Sequence, residues 1–188
     1  MSSNLFGTAE SDKRILVVDF GAQYAQLIAR RVRESNVYSE IVSHELDAES
    51  FADLKPAGII FSGGPTSVNV EGAPKIDPAI YDLGVPILGI CYGAQLIAQQ
   101  NGGSVEGNEK GEYGRTVVNV NESGILLSDF ETSTQQVWMS HFDSITNPPE
   151  GATVTASSDG SPVAVFEEPE KGLFGVQFHP EVHHTPCG

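Results

Sequence analysis

The 188-residue sequence predicts an α/β fold with an open, three-layer, mixed and mainly parallel sheet that carries helices on both faces. In the first half of the chain, short apolar runs alternate four times with segments of helical periodicity, as parallel strands joined by helices do. In the second half, short strand-like runs follow one another with turns between them, which indicates an antiparallel extension of the sheet.

The alternating half opens with RILVVDF, an uninterrupted apolar run that is typical of a strand covered on both faces. The helix after it is indicated by apolar residues that recur at a spacing close to 3.6. By the same criteria, the predicted strands are Arg14–Phe20, Tyr38–Ser43, Ala57–Phe61 and Val85–Ile90. The predicted helices are Ala22–Glu34, Glu49–Leu54, Ile76–Leu83 and Tyr92–Gln100.

From Gly111 onward the helical pattern gives way to short strands. They are predicted at Thr116–Val120, Val137–Met139, Thr153–Ala156, Pro162–Phe166 and Leu173–Phe178. Without internal repeats or a linker-like tract, residues 13–188 are interpreted as one domain, and the polar residues 1–12 as a flexible lead-in.

The charge balance limits the partners that the protein can have. Ten Lys and Arg residues stand against 25 Asp and Glu, a formal net charge of −15. Such a surface repels nucleic acid and anionic membranes, and it suits a small zwitterionic substrate or a basic protein partner. The sequence has no apolar run of membrane-spanning length and no signal-peptide pattern, and only two cysteines, so we expect a cytoplasmic protein.

The segment Gly89-Ile90-Cys91-Tyr92-Gly93 lies where a predicted strand meets a predicted helix. Its G-x-C-x-G spacing has the form of the G-x-S-x-G turn that presents a nucleophile above an α/β sheet. The positive end of the following helix favours a thiolate. A lone cysteine is also often a small buried hydrophobe, so this segment alone leaves two interpretations open.

A second segment, Phe178-His179-Pro180-Glu181, supplies the base that such a thiol needs. If the last strand stays extended, His179 and Glu181 project to one side, where the carboxylate can orient the imidazole. Together with His183 and His184, the same residues offer metal ligands, but no second ligand cluster accompanies them. Cysteine–histidine catalysis is therefore the favoured interpretation, with no metal.

Two further loops are candidates for the same site. Ser62-Gly63-Gly64-Pro65 follows a predicted parallel strand, and its glycines leave backbone N–H groups free for an oxyanion. The SGGPTS sequence also resembles the phosphate loop of ATP pyrophosphatases, but Thr66 stands where that loop has an aspartate. Segment 138–143 (WMSHFD) places polar groups after a strand, where they can line a pocket.

Together, these motifs resemble the class I (triad-type) glutamine amidotransferase family over residues 13–188. The resemblance is carried by ILVVDFGAQYAQLIARRVRE, IIFSGGPTSV, GICYGAQLIAQ, VWMSH and FGVQFHPEVHHT. Within the family, the first of these segments and VWMSH are most similar to the glutaminase domain of the GMP synthetase branch.

The resemblance implies a catalytic triad of Cys91, His179 and Glu181 that hydrolyses glutamine through a cysteinyl thioester. It implies an oxyanion hole formed by the backbone N–H groups of Gly64 and Tyr92. The substrate-binding residues that it implies are Gly63, Gln95, Ser140, His141 and Phe142. Phe142 departs from the family pattern, in which a small or polar residue is common.

The resemblance also implies a partner. In the GMP synthetase branch, an ATP pyrophosphatase module, fused or separate, uses ATP and Mg²⁺ to aminate XMP to GMP with the ammonia that the glutaminase releases. The loop of that module is absent from this sequence, so we expect the chain to be its glutaminase component and to need no cofactor itself. A cysteine hydrolase of another class and the glutaminase of a different amidotransferase are the alternatives.

Overall fold

The structure is a computed structural model that describes residues 14–122, 124–129 and 133–188, without the side chains of residues 108–110. The predicted flexible lead-in, residues 1–12, lies outside this part of the chain. In the first half, the strands are β1 (Ile15–Asp19), β2 (Ser39–Ser43), β3 (Gly58–Phe61) and β4 (Ile87–Ile90). The helices are α1 (Ala25–Glu34), α2 (Ala48–Asp53), α3 (Tyr92–Gln100) and a 3₁₀ helix (Pro78–Leu83).

The first half differs from the prediction in the segment Ile76–Leu83. Only Pro78–Leu83 is helical, and it forms the tighter 3₁₀ helix. Asp77 caps this helix by accepting the N–H of Ala79, and the left-handed Gly84 ends it. Pro78 at its first position and the left-handed Gly84 after its last residue bound this helix on both sides.

In the second half, two strands are much longer than predicted, whereas the last two are shorter. It contains β5 (Ser104–Val120), β6 (Thr134–Asn147), β7 (Thr153–Ser157), β8 (Val165–Glu168) and β9 (Leu173–Val176). β5 and β6 form one long antiparallel hairpin, of which only Thr116–Val120 and Val137–Met139 were predicted. Gly111 and Gly114 have positive φ angles inside β5, and such glycines mask a strand in the sequence pattern.

Within the described residues, the nine strands form one sheet in the order β2-β1-β3-β4-β9-β8-β7-β5-β6. The order shows that β9 does not belong wholly to the antiparallel half. It pairs parallel with β4, with Ile90 opposite Val176, and antiparallel with β8. The carboxyl ends of β3, β4 and β9 therefore meet at one edge of the sheet, where ligand sites of such sheets lie.

Helices cover both faces of the sheet, which confirms the predicted fold class. On one face, Leu16 and Ile59 of the sheet pack with side chains of α2, the 3₁₀ helix and α3. On the other face, Val17 packs with Ile28 of α1. The antiparallel part of this mixed sheet is larger than predicted, because the β5–β6 hairpin is long. No helix among the described residues is long and apolar enough to cross a membrane.

Candidate active site

Cys91 lies in a tight turn between β4 and α3. Its backbone angles, φ 52° and ψ −106°, are strained for a residue with a side chain. The turn requires glycine on both sides, because a Cβ on Gly89 would lie 2.5 Å from the backbone N of Ala94. A Cβ on Gly93 would lie 2.5 Å from the carbonyl oxygen of Phe61. The G-x-C-x-G spacing thus has a steric cause in this structure.

The strained turn is held by the neighbouring strands. The backbone N–H of Cys91 donates to the carbonyl of Val176 at 2.8 Å, and that of Gly93 donates to Ser62 at 3.1 Å. The side chain of Cys91 is only 7% exposed, whereas Cys187 is exposed. The backbone of the sheet therefore positions the buried thiol independently of its own side-chain contacts.

His179 lies beside Cys91 because β9 runs parallel to β4. Its Nδ1 is 2.8 Å from Oε1 of Glu181, and Cys91 lies near enough to raise the pKa of its ring. The backbone N–H of His179 donates to Trp138 of β6 at 2.9 Å, which anchors the segment to the hairpin. The three residues of the predicted triad are thus neighbours, with His179 acted on by both of the others.

Opposing effects act on the pKa of His179. Burial alone lowers it, but the hydrogen bonds and charges of Cys91 and Glu181 outweigh burial and raise the pKa above its usual value of 6.5. The raised pKa favours the protonated form of the His179 ring. His179 is therefore poised to donate a proton as well as to accept one.

Glu181 reaches His179 in a way that the sequence did not predict. β9 ends at Val176, and a turn begins at Pro180, so an extended strand does not bring the two side chains together. The turn bends the chain back, and Arg31 of α1 holds it by donating from Nε to the carbonyl of Glu181 at 2.9 Å. The side chain of Glu181 is 2% exposed, and its Oε2 has no hydrogen-bond partner among the described residues.

The loop after β3 closes the site from the other side. A Cβ on Gly64 would lie 2.5 to 2.9 Å from three ring atoms of Tyr92, so only glycine lets this ring pack against the loop. A Cβ on Gly63 would lie 3.3 Å from the ring of His179. Both glycines of the SGGP segment are thus in close contact with residues of the predicted site.

A cavity of about 250 Å³ opens at Cys91. The predicted residues that line it are Gly64, Cys91, Tyr92, Gln95, Ser140, His141 and Phe142. Further lining residues are Pro65, Thr66, Ser67, Tyr113 and Asp143. Its size fits a small amino acid, and its walls come both from the parallel strands and from the β5–β6 hairpin.

The predicted substrate-binding residues differ in how far contacts within the protein already engage them. Gln95 donates from Nε2 to the carbonyl of Asp143 at 2.7 Å, so its amide nitrogen is engaged within the protein. The carbonyl of Ser140 accepts from the thiol of Cys91 at 3.8 Å. The ring of Phe142 is 55% exposed at the mouth of the cavity.

His141 is the predicted substrate-binding residue whose ring is fully engaged elsewhere. It is buried, its Nδ1 donates to the carbonyl of Asp143 at 2.9 Å, and its Nε2 is 3.1 Å from Oε2 of Glu112. Ser158 and Ser161 also donate to Glu112, at 2.8 and 2.7 Å. Any contact of His141 with a ligand would therefore involve its backbone rather than its ring nitrogens.

Glu112 is the centre of this buried polar cluster. Burial raises the pKa of its carboxyl group, but the hydrogen bonds from His141, Ser161 and Ser158 outweigh burial and lower the pKa to about 2. The cluster joins the hairpin to the turn at residues 158–161. It fixes the position of His141, and with it the cavity wall formed by residues 140–143.

Two residues of the site were missed by the sequence analysis, and a third, Asp143, was indicated only as a member of the WMSHFD segment that can line a pocket. Gln177, whose amide nitrogen is 3.8 Å from Sγ of Cys91, lies in the bend after β9, so no alternation along a strand indicates it. Glu112 is 29 residues from its partner His141, and no local pattern indicates that pairing.

The structure also bears on the metal alternative. Within the described ranges, no group of three or more His, Cys, Asp or Glu side chains is placed to hold a metal ion. The ring of His184 instead packs against that of Trp138 in a tilted arrangement, with ring centroids 4.4 Å apart. The imidazole of His179 is engaged by Glu181 and Cys91.

Comparison with known proteins agrees with this fold and with these motifs. A profile of the family described as glutamine amidotransferase class-I matches residues 16–188. The chain belongs to the class I glutamine amidotransferase family, as the sequence motifs predicted.

Its curated relatives include the GMP synthase (glutamine-hydrolyzing) of Nocardia farcinica, which is 54% identical over 96% of this chain. The protein of the same name from Mycobacterium leprae is 52% identical over 100% of the chain. The matches cover 34% and 35% of these relatives, so the chain spans about a third of the length of the curated relatives that it matches.

Solved structures show the same architecture. A Thermoplasma acidophilum protein, described as one subunit of GMP synthase, superposes with a TM-score of 0.82 at 34% identity. That match covers 92% of this chain and 86% of the other. A glutamine amidotransferase from Thermotoga maritima superposes with a TM-score of 0.70 over 91% of this chain and 77% of the other, and at 23% identity it shows the fold alone.

Proposed function

We propose that this protein hydrolyses glutamine to glutamate and ammonia, as the glutaminase part of a GMP synthase. The observation that carries the proposal is a buried, strained cysteine that acts on the pKa of a histidine hydrogen-bonded to a buried glutamate, at a cavity of amino-acid size. Relatives that are 52 to 54% identical to this chain are named GMP synthase, which supports the proposal that the released ammonia is used to make GMP.

The proposed reaction starts with attack of the Cys91 thiolate on the side-chain carboxamide carbon of glutamine. The carbonyl oxygen becomes negatively charged, and the backbone N–H groups of Gly64 and Tyr92 are the proposed donors to it. The N–H of Tyr92 is the first of α3, so it has no partner within the helix and carries the positive end of the helix dipole. One donor of this kind is worth about 2.7–4 kcal/mol of transition-state stabilisation.

His179 carries the protons between the two halves of the reaction. As the tetrahedral intermediate collapses, its imidazolium donates a proton to the amide nitrogen, ammonia leaves, and a glutamyl thioester remains on Cys91. The neutral imidazole then takes a proton from a water molecule, and this water attacks the carbon of the thioester. Glutamate leaves, and the site returns to its starting state, with the thiolate on Cys91 and the proton on His179. Glu181, bonded to Nδ1, keeps Nε2 directed at the sulfur throughout.

The amino-acid end of glutamine requires an anion for its α-ammonium group. We assign this role to Asp143, which lines the cavity, is 8% exposed and has one carboxylate oxygen without a hydrogen-bond partner among the described residues. A buried carboxylate in this state gains from a cationic ligand group. Gln95 and the segment 140–142 are the proposed walls on either side of the substrate.

The reaction as proposed needs neither a metal nor a nucleotide, because the nucleophile, the proton carrier and the oxyanion donors are all protein groups. We therefore expect the rate of ammonia release to be unchanged by EDTA or by added ATP and Mg²⁺. In the whole enzyme, ATP and Mg²⁺ would serve the ATP pyrophosphatase module that aminates XMP.

The decisive experiment measures ammonia and glutamate release from glutamine, together with labelling by the glutamine analogue diazo-oxo-norleucine and peptide mapping. We expect a label on Cys91 and none on the exposed Cys187. The assay is repeated with the part of the Nocardia farcinica relative that lies outside the matched third. Labelling of Cys187 alone, or no labelling with that part added, would overturn the proposal.

The partner is tested separately, with XMP and ATP present. We expect glutamine-dependent GMP formation to require Cys91, and ammonia-dependent formation to continue in the Cys91→Ala variant. GMP formation from glutamine that survives this substitution would contradict the assignment of the chain as the ammonia source.

A further inference from the structure

Gln177 is a fully buried polar residue that the reaction steps above do not use. It follows β9 directly and is 0% exposed. Its neighbours Val176 and Phe178 both pack into the core on the α1 side of the sheet. Residues 177 and 178 form a bend after the strand, and from this bend the side chain of Gln177 reaches Cys91 at the end of β4.

The side chain of Gln177 connects the thiol with the wall of the cavity. Its Nε2 donates to Sγ of Cys91 at 3.8 Å, and its Oε1 accepts from Nε2 of Gln95 at 3.2 Å. Gln95 in turn donates to the backbone carbonyl of Asp143 at 2.7 Å. A continuous chain of hydrogen bonds therefore runs from the sulfur to the hairpin.

The backbone carbonyl of Asp143 determines the direction of these hydrogen bonds. A backbone carbonyl only accepts, so the amide nitrogen of Gln95 must face Asp143. The atom of Gln177 that meets this nitrogen must then be its oxygen. The amide nitrogen of Gln177 is left facing the sulfur, so a donor, and not an acceptor, contacts Cys91.

Two contacts with the sulfur act in opposite directions. The carbonyl of Ser140 accepts the S–H of Cys91 and stabilises the neutral thiol. The N–H of Gln177 interacts more strongly with a charged sulfur, because hydrogen bonds to ions are stronger than those between neutral groups.

We propose that Gln177 donates a hydrogen bond to the Cys91 thiolate and, through its oxygen, holds Gln95 in the cavity wall. The inference rests on the proposed function in that it takes Cys91 as the nucleophile. The proton of His179 is transferred during the reaction, whereas the amide N–H of Gln177 is not. The sulfur therefore keeps one hydrogen bond after His179 has donated its proton.

The test is the pH dependence of Cys91 alkylation by iodoacetamide in Gln177→Met, which keeps the volume and removes the donor. Peptide mass spectrometry follows Cys91 and the exposed Cys187 in the same sample. Loss of one hydrogen bond to a charged group should raise the pH of half-maximal alkylation at Cys91 by about one unit. The profile of Cys187 should stay unchanged.

A matched control is Gln100→Met, in the last turn of α3. Gln100 also uses both ends of its amide, with Tyr81 and the carbonyl of Ile76, but it lies outside the cavity. We expect this variant to show the wild-type alkylation profile at Cys91. An unshifted profile in folded Gln177→Met, or an equal shift in Gln100→Met, would overturn the assignment.

A measurement on the unaltered protein covers the case in which Gln177→Met does not fold. The side-chain amide NMR signals of Gln177 should move with the titration of Cys91, and signals that stay constant through that titration refute the contact. The proposed function fails on a different result. A protein that releases no ammonia from glutamine, yet shows the expected alkylation shift, keeps the role of Gln177 and loses the glutaminase assignment.

Discussion

The site joins two regions of different construction. The carboxyl edge of the parallel strands, formed by the ends of β3, β4 and β9, carries Gly64, Cys91 and His179. It is buried, and backbone hydrogen bonds and glycines that leave no room for a side chain hold it in place. The β5–β6 hairpin carries residues 140–143, and a polar cluster around Glu112 holds that wall of the cavity.

From this difference we infer separate roles for the two regions, catalysis for the parallel strands and substrate binding for the hairpin. A nucleophile and a proton carrier need fixed distances, and the backbone of a packed sheet supplies them. For the proposed function, substrate recognition needs charges and hydrogen bonds, which residues 140–143 of the hairpin can offer. We therefore expect changes in the parallel region to lower kcat and changes in the hairpin to raise KM.

The largest effect is expected for Cys91→Ser. The hydroxyl is a much poorer nucleophile in the same strained turn, so glutamine hydrolysis should fall by at least about 10³-fold. Cys187→Ser is the matched control and should keep wild-type activity, because this thiol is exposed and does not line the cavity at Cys91. Substantial residual hydrolysis in Cys91→Ser would mean that the reaction takes place elsewhere.

His179→Gln should lower kcat by about 10²- to 10⁴-fold, the usual worth of a general acid–base, while KM changes little. Steady-state kinetics with glutamine measures both constants. His183→Gln is the control, because His183 is exposed and makes no contact with Cys91 in the described structure. A comparable loss of kcat in His183→Gln would favour the metal alternative. A change in KM alone in His179→Gln would contradict the separate roles that we infer for the two regions.

Asp143→Asn tests the hairpin side of the comparison. Removing the negative charge while keeping the backbone carbonyl that holds Gln95 should raise KM for glutamine about ten- to hundredfold. We expect kcat to stay within a few-fold of wild type. The exposed Asp53→Asn serves as control, and a collapse of kcat in Asp143→Asn would show that the hairpin takes part in the chemistry.

The smallest effect is expected for Glu112→Gln, which should lower the free energy of unfolding by about 1–3 kcal/mol at pH 7. The pKa of Glu112 is lowered in the fold from 4.5 to about 2, so its stabilisation is complete above pH 4.5. It is lost as the pH falls from 4.5 toward 2. Urea unfolding of both proteins at several pH values should show the difference shrinking over that range.

The exposed Glu106→Gln on the same strand is the control for this measurement, and it should leave the free energy of unfolding unchanged at every pH. A difference between wild type and Glu112→Gln that persists at pH 2 would contradict the charge-based explanation. It would assign the effect to packing around the hairpin instead.

Much of the parallel region could be predicted from sequence because its signals are local. The apolar run of β1 and the helix α3, whose observed bounds equal the predicted ones, each follow from a single window of residues. The glycines beside Cys91 also act within a few residues, through contacts that exclude a Cβ. Family motifs added the pairing of Cys91 with His179, which no local window contains.

The hairpin could be predicted only in part. β5 contains glycines with positive φ, and several buried positions of β6 hold polar residues, so Thr116–Val120 and Val137–Met139 were the only parts with a clear apolar pattern. The engagement of the His141 ring by Glu112 was not predictable, because the partner lies on a different strand and the register decides the pairing.

By itself, the sequence determined the fold class and the thiol turn, which follow from short-range patterns and sterics, and through family motifs it indicated the residues of the proposed triad. Only the tertiary structure decided that β9 lies parallel to β4, that a turn rather than an extended strand brings Glu181 to His179, and that Gln177 contacts the sulfur. These features depend on strand order and register, which arise from packing between segments far apart in the chain.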